Sequence, residues 1–200
     1  MILELFFKGG PIMWFILVLS IVTVSVILER GVFLWTQAAR RDPAMVRRIF
    51  SLVEKGDPAA AISAGENSGD LVAQVLVEGL KHRDTSLTEA MLEAASAELD
   101  RNNRGLVVLD TAVTMGPLLG LLGTVIGMIR AFGVVGAGDL AGNQLAITGG
   151  VSECLIAVCF GLSVAIIAIV PLNWLSSRLE KIRRQLESAM TRLELLLRKE

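Results

Sequence analysis

The chain has 200 residues, of which 53% are hydrophobic and 20% are charged, and its 19 Lys/Arg and 20 Asp/Glu leave a net charge of −1. A soluble domain carries about 25% charged residues and is less apolar on average, so the composition indicates a membrane protein. Because there is no excess of basic residues, nothing suggests nucleic acid as a partner.

Three stretches are long enough to cross a bilayer, which takes about 20 apolar residues. They are residues 9–28, 105–129 and 147–175. The first is followed by Glu29-Arg30 and not by a small-x-small cleavage motif, so we expect it to be retained as a span. The sequence therefore predicts an all-α membrane protein with three transmembrane helices.

Positive charge is segregated along the chain. Seventeen of the 19 Lys/Arg lie within residues 30–104 or 178–199, and Lys8 and Arg130 are the exceptions. The Lys/Arg bias marks the cytoplasmic side of a membrane protein. We therefore expect the N-terminus and the short loop at 131–146 to lie outside the cell membrane, and the large loop and the C-terminus to lie in the cytoplasm.

The large loop contains several residue patterns that typically begin helices. Asp42-Pro43 and Asp57-Pro58 are typical helix starts, and Ser86 to Glu89 fits a capping box. From Leu87 we expect one helix that continues through the second span. The third span likewise continues into residues 176–200, where apolar residues recur every three or four positions and require a partner surface.

These features divide the chain into four regions. They are an N-terminal segment with the first span (1–30), a cytoplasmic helical region (31–104), a core with the second and third spans and the short loop between them (105–175), and a cytoplasmic C-terminal helix (176–200).

Glu153 is the only charged residue between positions 140 and 177. An ionised carboxylate at membrane depth costs about 2.5 kcal/mol or more, so such a residue is by default a hypothesis about ion or proton movement. By rise per residue, Glu153 and Thr124 both lie roughly 8–10 Å below the outer surface. The two residues could therefore form one polar layer, although the Thr124 hydroxyl could also bond to the Gly120 carbonyl.

Small residues line the same two spans. Glycine at such spacings lets helix backbones approach closely, so this pattern fits either helix packing or the wall of a narrow channel. The residues are Gly116, Gly120, Gly123 and Gly127 in the second span, and Ala157 and Gly161, with Ala165 and Ala168, on the Glu153 face of the third.

Other functional classes find little support. An intramembrane hydrolase needs a nucleophile and a base at membrane depth, but the only histidine, His82, lies in the large loop. The sequence has no metal-ligand cluster and no phosphate-binding loop, so we expect no enzyme, metal or cofactor. The residues alone leave two alternatives open, an ion channel and a non-conducting oligomeric scaffold.

Residues 116–132, GPLLGLLGTVIGMIRAF, and residues 149–157, GGVSECLIA, resemble the ExbB/TolQ/MotA family, closest to its three-span ExbB/TolQ branch. The resemblance implies a proton-channel subunit of a bacterial inner-membrane motor. It also implies a ring of helices, expected to be a pentamer, around an ExbD/TolR-like single-span protein with a membrane aspartate. A TonB/TolA-like protein is a further candidate partner. The resemblance implies that the motor uses the proton motive force to do work at the cell envelope or in outer-membrane transport.

By position, Glu153 and Thr124 match the acid and the hydroxyl of the family's ion pathway. Val158 departs from the pattern, because the family commonly has a second threonine there. A sodium ion needs several oxygen ligands. The missing hydroxyl therefore favours protons over sodium.

Overall fold

The computed structural model describes residues 2–135 and 144–198, and these residues form eight α-helices. The chain divides into two compact units. The span unit comprises Met1–Arg30 and Gly105–Trp174, and the loop unit comprises Gly31–Arg104 and Leu175–Glu200. The prediction of an all-α protein is confirmed.

The helices, in chain order, are α1 (Ile2–Lys8), α2 (Ile12–Ala39), α3 (Pro43–Glu54), α4 (Pro58–Gly65), α5 (Leu71–Lys81), α6 (Leu87–Asn103), α7 (Leu106–Val135) and α8 (Gln144–Leu197). Among the described residues, three helical stretches are long and apolar enough to cross a membrane. They coincide with the three predicted spans, which are therefore confirmed, although α2 begins at Ile12 and not at residue 9. α7 and α8 extend into the range 131–146 that was predicted as a loop, since α7 ends at Val135 and α8 begins at Gln144. Residues 136–143 of this loop lie outside the described residues.

The span unit buries few of its large side chains. A small cluster joins Ile12, Met13 and Ile16 of α2 to Val164 of α8. Many other large apolar side chains point outward, and Ile129 of α7 is 66% exposed. Between helices in a bilayer, lipid tails are as apolar as leucine. Such a surface therefore suits lipid or other membrane helices.

Aspartates start three helices of the loop unit. The Asp42 carboxylate accepts hydrogen bonds from the backbone N–H groups of Ala44 and Met45, and Asp57 and Asp70 cap α4 and α5 in the same way. These contacts satisfy donors that a helix start leaves unpaired. Ser86 also precedes a helix, but its side chain makes no cap hydrogen bond. The predicted capping box is therefore wrong, although the helix start is right.

The core of the loop unit contains the C-terminal part of α8. Its apolar stripe of Ile182, Leu186, Met190 and Leu193 is buried in one cluster with residues of α3 to α6. Thr88 of α6 also donates a hydrogen bond of 2.8 Å to Glu194. The partner surface that this amphipathic tail requires is thus supplied by the loop of the same chain.

The predicted single helix from Leu87 into the second span is interrupted. α6 ends at Asn103, and Gly105 adopts a φ of +85° before α7 begins. Glycine reaches this left-handed conformation without steric cost, and it commonly ends helices for that reason. The prediction of one uninterrupted helix is therefore wrong, because Gly105 follows α6 at the position where such a glycine stops a helix.

Candidate functional site

The glycines of α7 face α8 of the same chain at very short distances. A Cβ atom placed on Gly116 would lie 2.7 Å from the Gly161 carbonyl oxygen, and one on Gly127 would lie 2.7 Å from the Cys154 Sγ. Real Cβ atoms essentially never approach other atoms this closely. The two backbones can therefore touch only because α7 lacks side chains at these positions.

The contact between α7 and α8 is equally close at its middle. A Cβ on Gly120 would lie 3.0 Å from the Val158 Cα, and one on Gly123 would lie 2.5 Å from the Ala157 Cβ. Ala157 and Gly161 are buried, and Val158 is partly buried. In the contacts of the single chain, these predicted small residues therefore pack two helices together.

Glu153 is partnered by Arg130. The Arg130 Nη1 lies 3.1 Å from the Glu153 Oε1, which is both a hydrogen bond and an ion pair. The Glu153 side chain is 18% exposed and that of Arg130 is 55% exposed. An acid at the depth of a span thus has a cation from the neighbouring helix, so a negative charge there is not left without a partner.

Gly10 forms the third side of this site. It lies between α1 and α2 with a φ of +73°, and a Cβ there would overlap the Glu153 carboxylate. The turn before the first span therefore approaches Glu153 in a way that only glycine permits.

Thr124 contacts α8 at the residue after Glu153, and its hydroxyl bonds within α7. Its carbonyl oxygen accepts a hydrogen bond of 3.2 Å from the Sγ of Cys154, the residue after Glu153. Its hydroxyl donates to the Leu121 carbonyl at 2.6 Å and not to the predicted Gly120 carbonyl. Within the described residues no hydrogen bond joins the side chains of Thr124 and Glu153.

Arg130 and Gly10 were not predicted to belong to the site. Arg130 carried a signal, since it was one of only two basic residues outside the regions predicted to be cytoplasmic. The glycine-proline turn at Gly10-Pro11 carried a weaker one. In neither case could the sequence tell which distant side chain would be contacted.

The arrangement supplies one ionisable carboxyl group, one permanent cation and a closely packed pair of helices. It provides no nucleophile–base pair among the residues discussed, and the described residues contain no group of three His, Cys, Asp or Glu that could hold a metal ion. A carboxyl group can accept and release a proton, whereas a guanidinium stays charged. The chemistry that these groups support is therefore proton or charge transfer at membrane depth.

These features define a multi-pass membrane protein with an ion-paired acid in a span. Residues 67–188 match the MotA/TolQ/ExbB proton channel family. Together with the relatives below, this match shows that the chain belongs to that family, which is a family of transport proteins.

Three curated relatives illustrate the similarity. The ExbB-like protein 3 of Synechocystis sp. is 33% identical over 169 residues, which are 82% of this chain and 80% of that protein. The biopolymer transport protein ExbB of Salmonella typhimurium is 29% identical over 165 residues, which are 77% of this chain and 67% of that protein. The Tol-Pal system protein TolQ of Haemophilus influenzae is 26% identical over 200 residues, covering 91% and 87%.

Proposed function

We propose that this chain is the proton-channel subunit of an inner-membrane complex that couples proton motive force to work at the cell envelope or in outer-membrane transport. The observation that carries this proposal is the Glu153–Arg130 pair at the depth of a span. The family and the names of the ExbB and TolQ relatives support it.

Glu153 takes up and releases the transported proton in this proposal. When the carboxyl group is ionised, Arg130 balances its charge at 3.1 Å. When the group is protonated, this ion pair is lost and the guanidinium is free to turn to another acid. The aspartate of an ExbD/TolR-like partner helix is such an acid. Proton transfer can thereby alter the contacts between the chain and its partner.

Thr124 contributes to the pathway at the same level, whereas the small residues hold the two helices in register. Close packing of Gly116, Gly120, Gly123 and Gly127 against α8 fixes the height of Glu153 relative to Arg130. Val158 supplies no hydroxyl, and a site with few oxygen ligands is poorly suited to a dehydrated sodium ion. Protons are therefore the proposed ion.

The complex is proposed to contain several copies of the chain, expected to be five, around a single-span partner, with a TonB/TolA-like protein as a further contact. The N-terminus is periplasmic and the C-terminus cytoplasmic in this arrangement. The outward-facing apolar side chains of the spans would then contact lipid and neighbouring subunits.

The test is a comparison of Glu153→Gln with Glu153→Ala. Gln keeps the shape and hydrogen bonding of the protonated acid but cannot exchange a proton near neutral pH. We expect both variants to assemble and to retain the single-span partner, while both lose motive-force-dependent work. The measurement combines partner pull-down with an energy-dependent uptake or envelope-integrity assay, repeated in proton and sodium gradients.

Glu187→Gln is the matched control, because it removes a carboxylate from the exposed face of α8 in the loop unit. It should leave the work unchanged. The scaffold alternative makes the opposite prediction for the test variants. There Glu153→Gln would function almost normally and Glu153→Ala would weaken assembly, and that result would refute the channel proposal.

A further inference from the structure

The loop unit contains an open groove with a basic rim. It has a volume of about 470 Å³ and lies between α3 and the C-terminal part of α8. Apolar side chains including Val46, Phe50 and Ile182 line it. Four arginines surround these apolar residues, namely Arg41, Arg47, Arg184 and Arg192.

The rim has unbalanced positive charge. Arg192 pairs with Glu54 at 3.3 Å and Arg184 with Glu180 at 3.5 Å, but Arg41 and Arg47 make no ion pair within the described part of the chain. One acid, Asp70, also lines the groove. Its carboxylate already accepts hydrogen bonds from backbone N–H groups of Asp42, Val72 and Ala73. The groove therefore suits an acidic surface with an apolar centre.

The exposed face of α6 has these properties. Met91 and Ala95 are buried in the core, so the residues on the opposite side of the helix face outward. On that side Leu92 is 56% exposed, and Glu89 and Glu93 lie beside it. In the described structure, neither acid forms an ion pair. No residue of α6 lines the groove.

From this complementarity we propose that the α6 face of one copy of this chain docks into the arginine-rimmed groove of the next copy. Leu92 would contact the apolar lining, and Glu89 and Glu93 would meet the unpaired arginines. The inference rests on the proposed homo-oligomer and names the surface that joins its subunits. Because each copy presents one groove and one α6 face, the contact is heterologous, and repeating it can close a ring.

A second copy fits better than a single anion. An anionic headgroup or a free phosphate would satisfy the arginines but would leave the exposed leucine on α6 without a partner. The α6 face satisfies both the charged and the apolar parts of the groove. Opposite charges across such a surface also fix the register between subunits and disfavour wrong pairings.

Cysteine cross-linking tests the geometry of this contact. The full-length chain carrying Val46→Cys and Leu92→Cys is extracted in mild detergent and treated with a short bifunctional maleimide. We expect a ladder that continues beyond the dimer. Co-expression of the two single variants should yield dimers only, because each copy then carries one half of the contact. The parent chain, with Cys154 and Cys159, provides the background.

The matched control replaces Leu92→Cys by Leu195→Cys, which changes an equally exposed leucine of the same unit. Paired with Val46→Cys, it should give no ladder above background. A ladder of equal strength from the control would overturn the proposal, since it would show non-specific collision. A double variant that forms dimers but never larger products would also overturn it, because that pattern belongs to an isologous contact.

Charge reversal tests the chemistry of the contact. Arg41→Glu with Arg47→Glu should weaken self-association on the order of tenfold or more, and Glu89→Arg with Glu93→Arg in the same chain should restore it. Mass measurement of the detergent complex reports the result. Unchanged mass in the first variant, together with no cross-linking, would reject this surface while leaving the oligomer intact.

Two further outcomes distinguish a failure of the proposed homo-oligomer from a failure of the proposed groove contact. A parent chain that is monomeric by mass would contradict the proposed oligomer itself. A parent oligomer in which Val46→Cys cross-links only to the single-span partner, or in which native mass spectrometry finds a phospholipid lost on Arg41→Glu with Arg47→Glu, would overturn the neighbouring-copy assignment of the groove alone.

Discussion

Glu153 and Arg130 form an asymmetric ion pair, since the acid is mostly covered and the base is more than half exposed. The covered partner suffers more when the contact is removed, because it is left with an uncompensated charge. Exposure of the guanidinium reduces the net stabilisation. The pair is therefore expected to matter more for the behaviour of Glu153 than for stability.

Arg130→Gln removes the cation and should lower the stability of the complex by about 1–2 kcal/mol, between the values for exposed and buried pairs. It should also strongly reduce motive-force-dependent work. Arg130→Lys keeps the charge and should recover part of the work. Thermal unfolding in detergent and the envelope assay measure the two effects. Full work in Arg130→Gln would contradict a role for this pair in the pathway.

Gly10 is constrained both by its backbone and by its contact with Glu153. Gly10→Ala would force alanine into a left-handed backbone conformation, and it would place a Cβ where the Glu153 carboxylate lies. We expect a loss of about 1–3 kcal/mol and a displaced Glu153. The control is Gly31→Ala, because Gly31 lies within α2 and a Cβ there would meet nothing within 4 Å. Equal melting temperatures for the two variants would contradict this account.

At the scale of elements, the α7–α8 seam is a long contact between two backbones. It spans four glycines of α7, from Gly116 to Gly127. Such contacts gain dispersion energy, but they tolerate no added volume because backbone atoms cannot move aside as side chains can. The seam therefore fixes the register that places Arg130 near Glu153.

Gly116→Ala should force α7 and α8 apart, since the new Cβ would lie 2.7 Å from a backbone oxygen. The expected cost is about 1–3 kcal/mol. Gly133→Ala is the control on the same helix, where a Cβ meets nothing within 4 Å. It should be neutral or slightly stabilising. Melting temperatures in detergent measure the difference. If Gly116→Ala were as stable as Gly133→Ala, close packing of α7 against α8 at Gly116 would be contradicted.

At the scale of the whole molecule, two kinds of surface are left to be covered. The helices of the span unit present large apolar side chains such as Trp14, Phe15 and Leu155. The loop unit presents a basic groove and an acidic helix face. Lipid can cover the first kind, but a self-complementary pair of charged surfaces is best satisfied by another copy of the chain.

We therefore expect the detergent-purified chain to have the mass of a closed oligomer, with five copies as the expected number. High salt should weaken subunit contacts that depend on the loop unit, because exposed charges are screened. Mass photometry or native mass spectrometry checks both points. A stable monomer at low salt would contradict this expectation and the proposed ring.

Much of the architecture follows from the sequence alone. The three spans are evident because burial in lipid is a property of local composition, and a run of about 20 apolar residues satisfies it without information from elsewhere. The aspartate helix starts and the apolar stripe of the C-terminal helix are local in the same sense. Glu153 was identifiable because a charge within an apolar run is anomalous wherever its neighbours lie. Gly105 is a local signal of the same kind, since a glycine just after a helix commonly ends it.

The contacts of the site were decided by the tertiary structure. The pairing of Glu153 with Arg130, and the approach of Gly10 to the same carboxylate, join residues that are far apart in the chain. They depend on how the packed helices are rotated and aligned, and the composition of a span does not determine which of its residues face a given neighbour. The glycine spacing fitted either close packing or a channel wall and did not identify a partner helix, because α8 of the same chain and a helix of another subunit have equally compatible sequence patterns. Only the packed backbones distinguish the two.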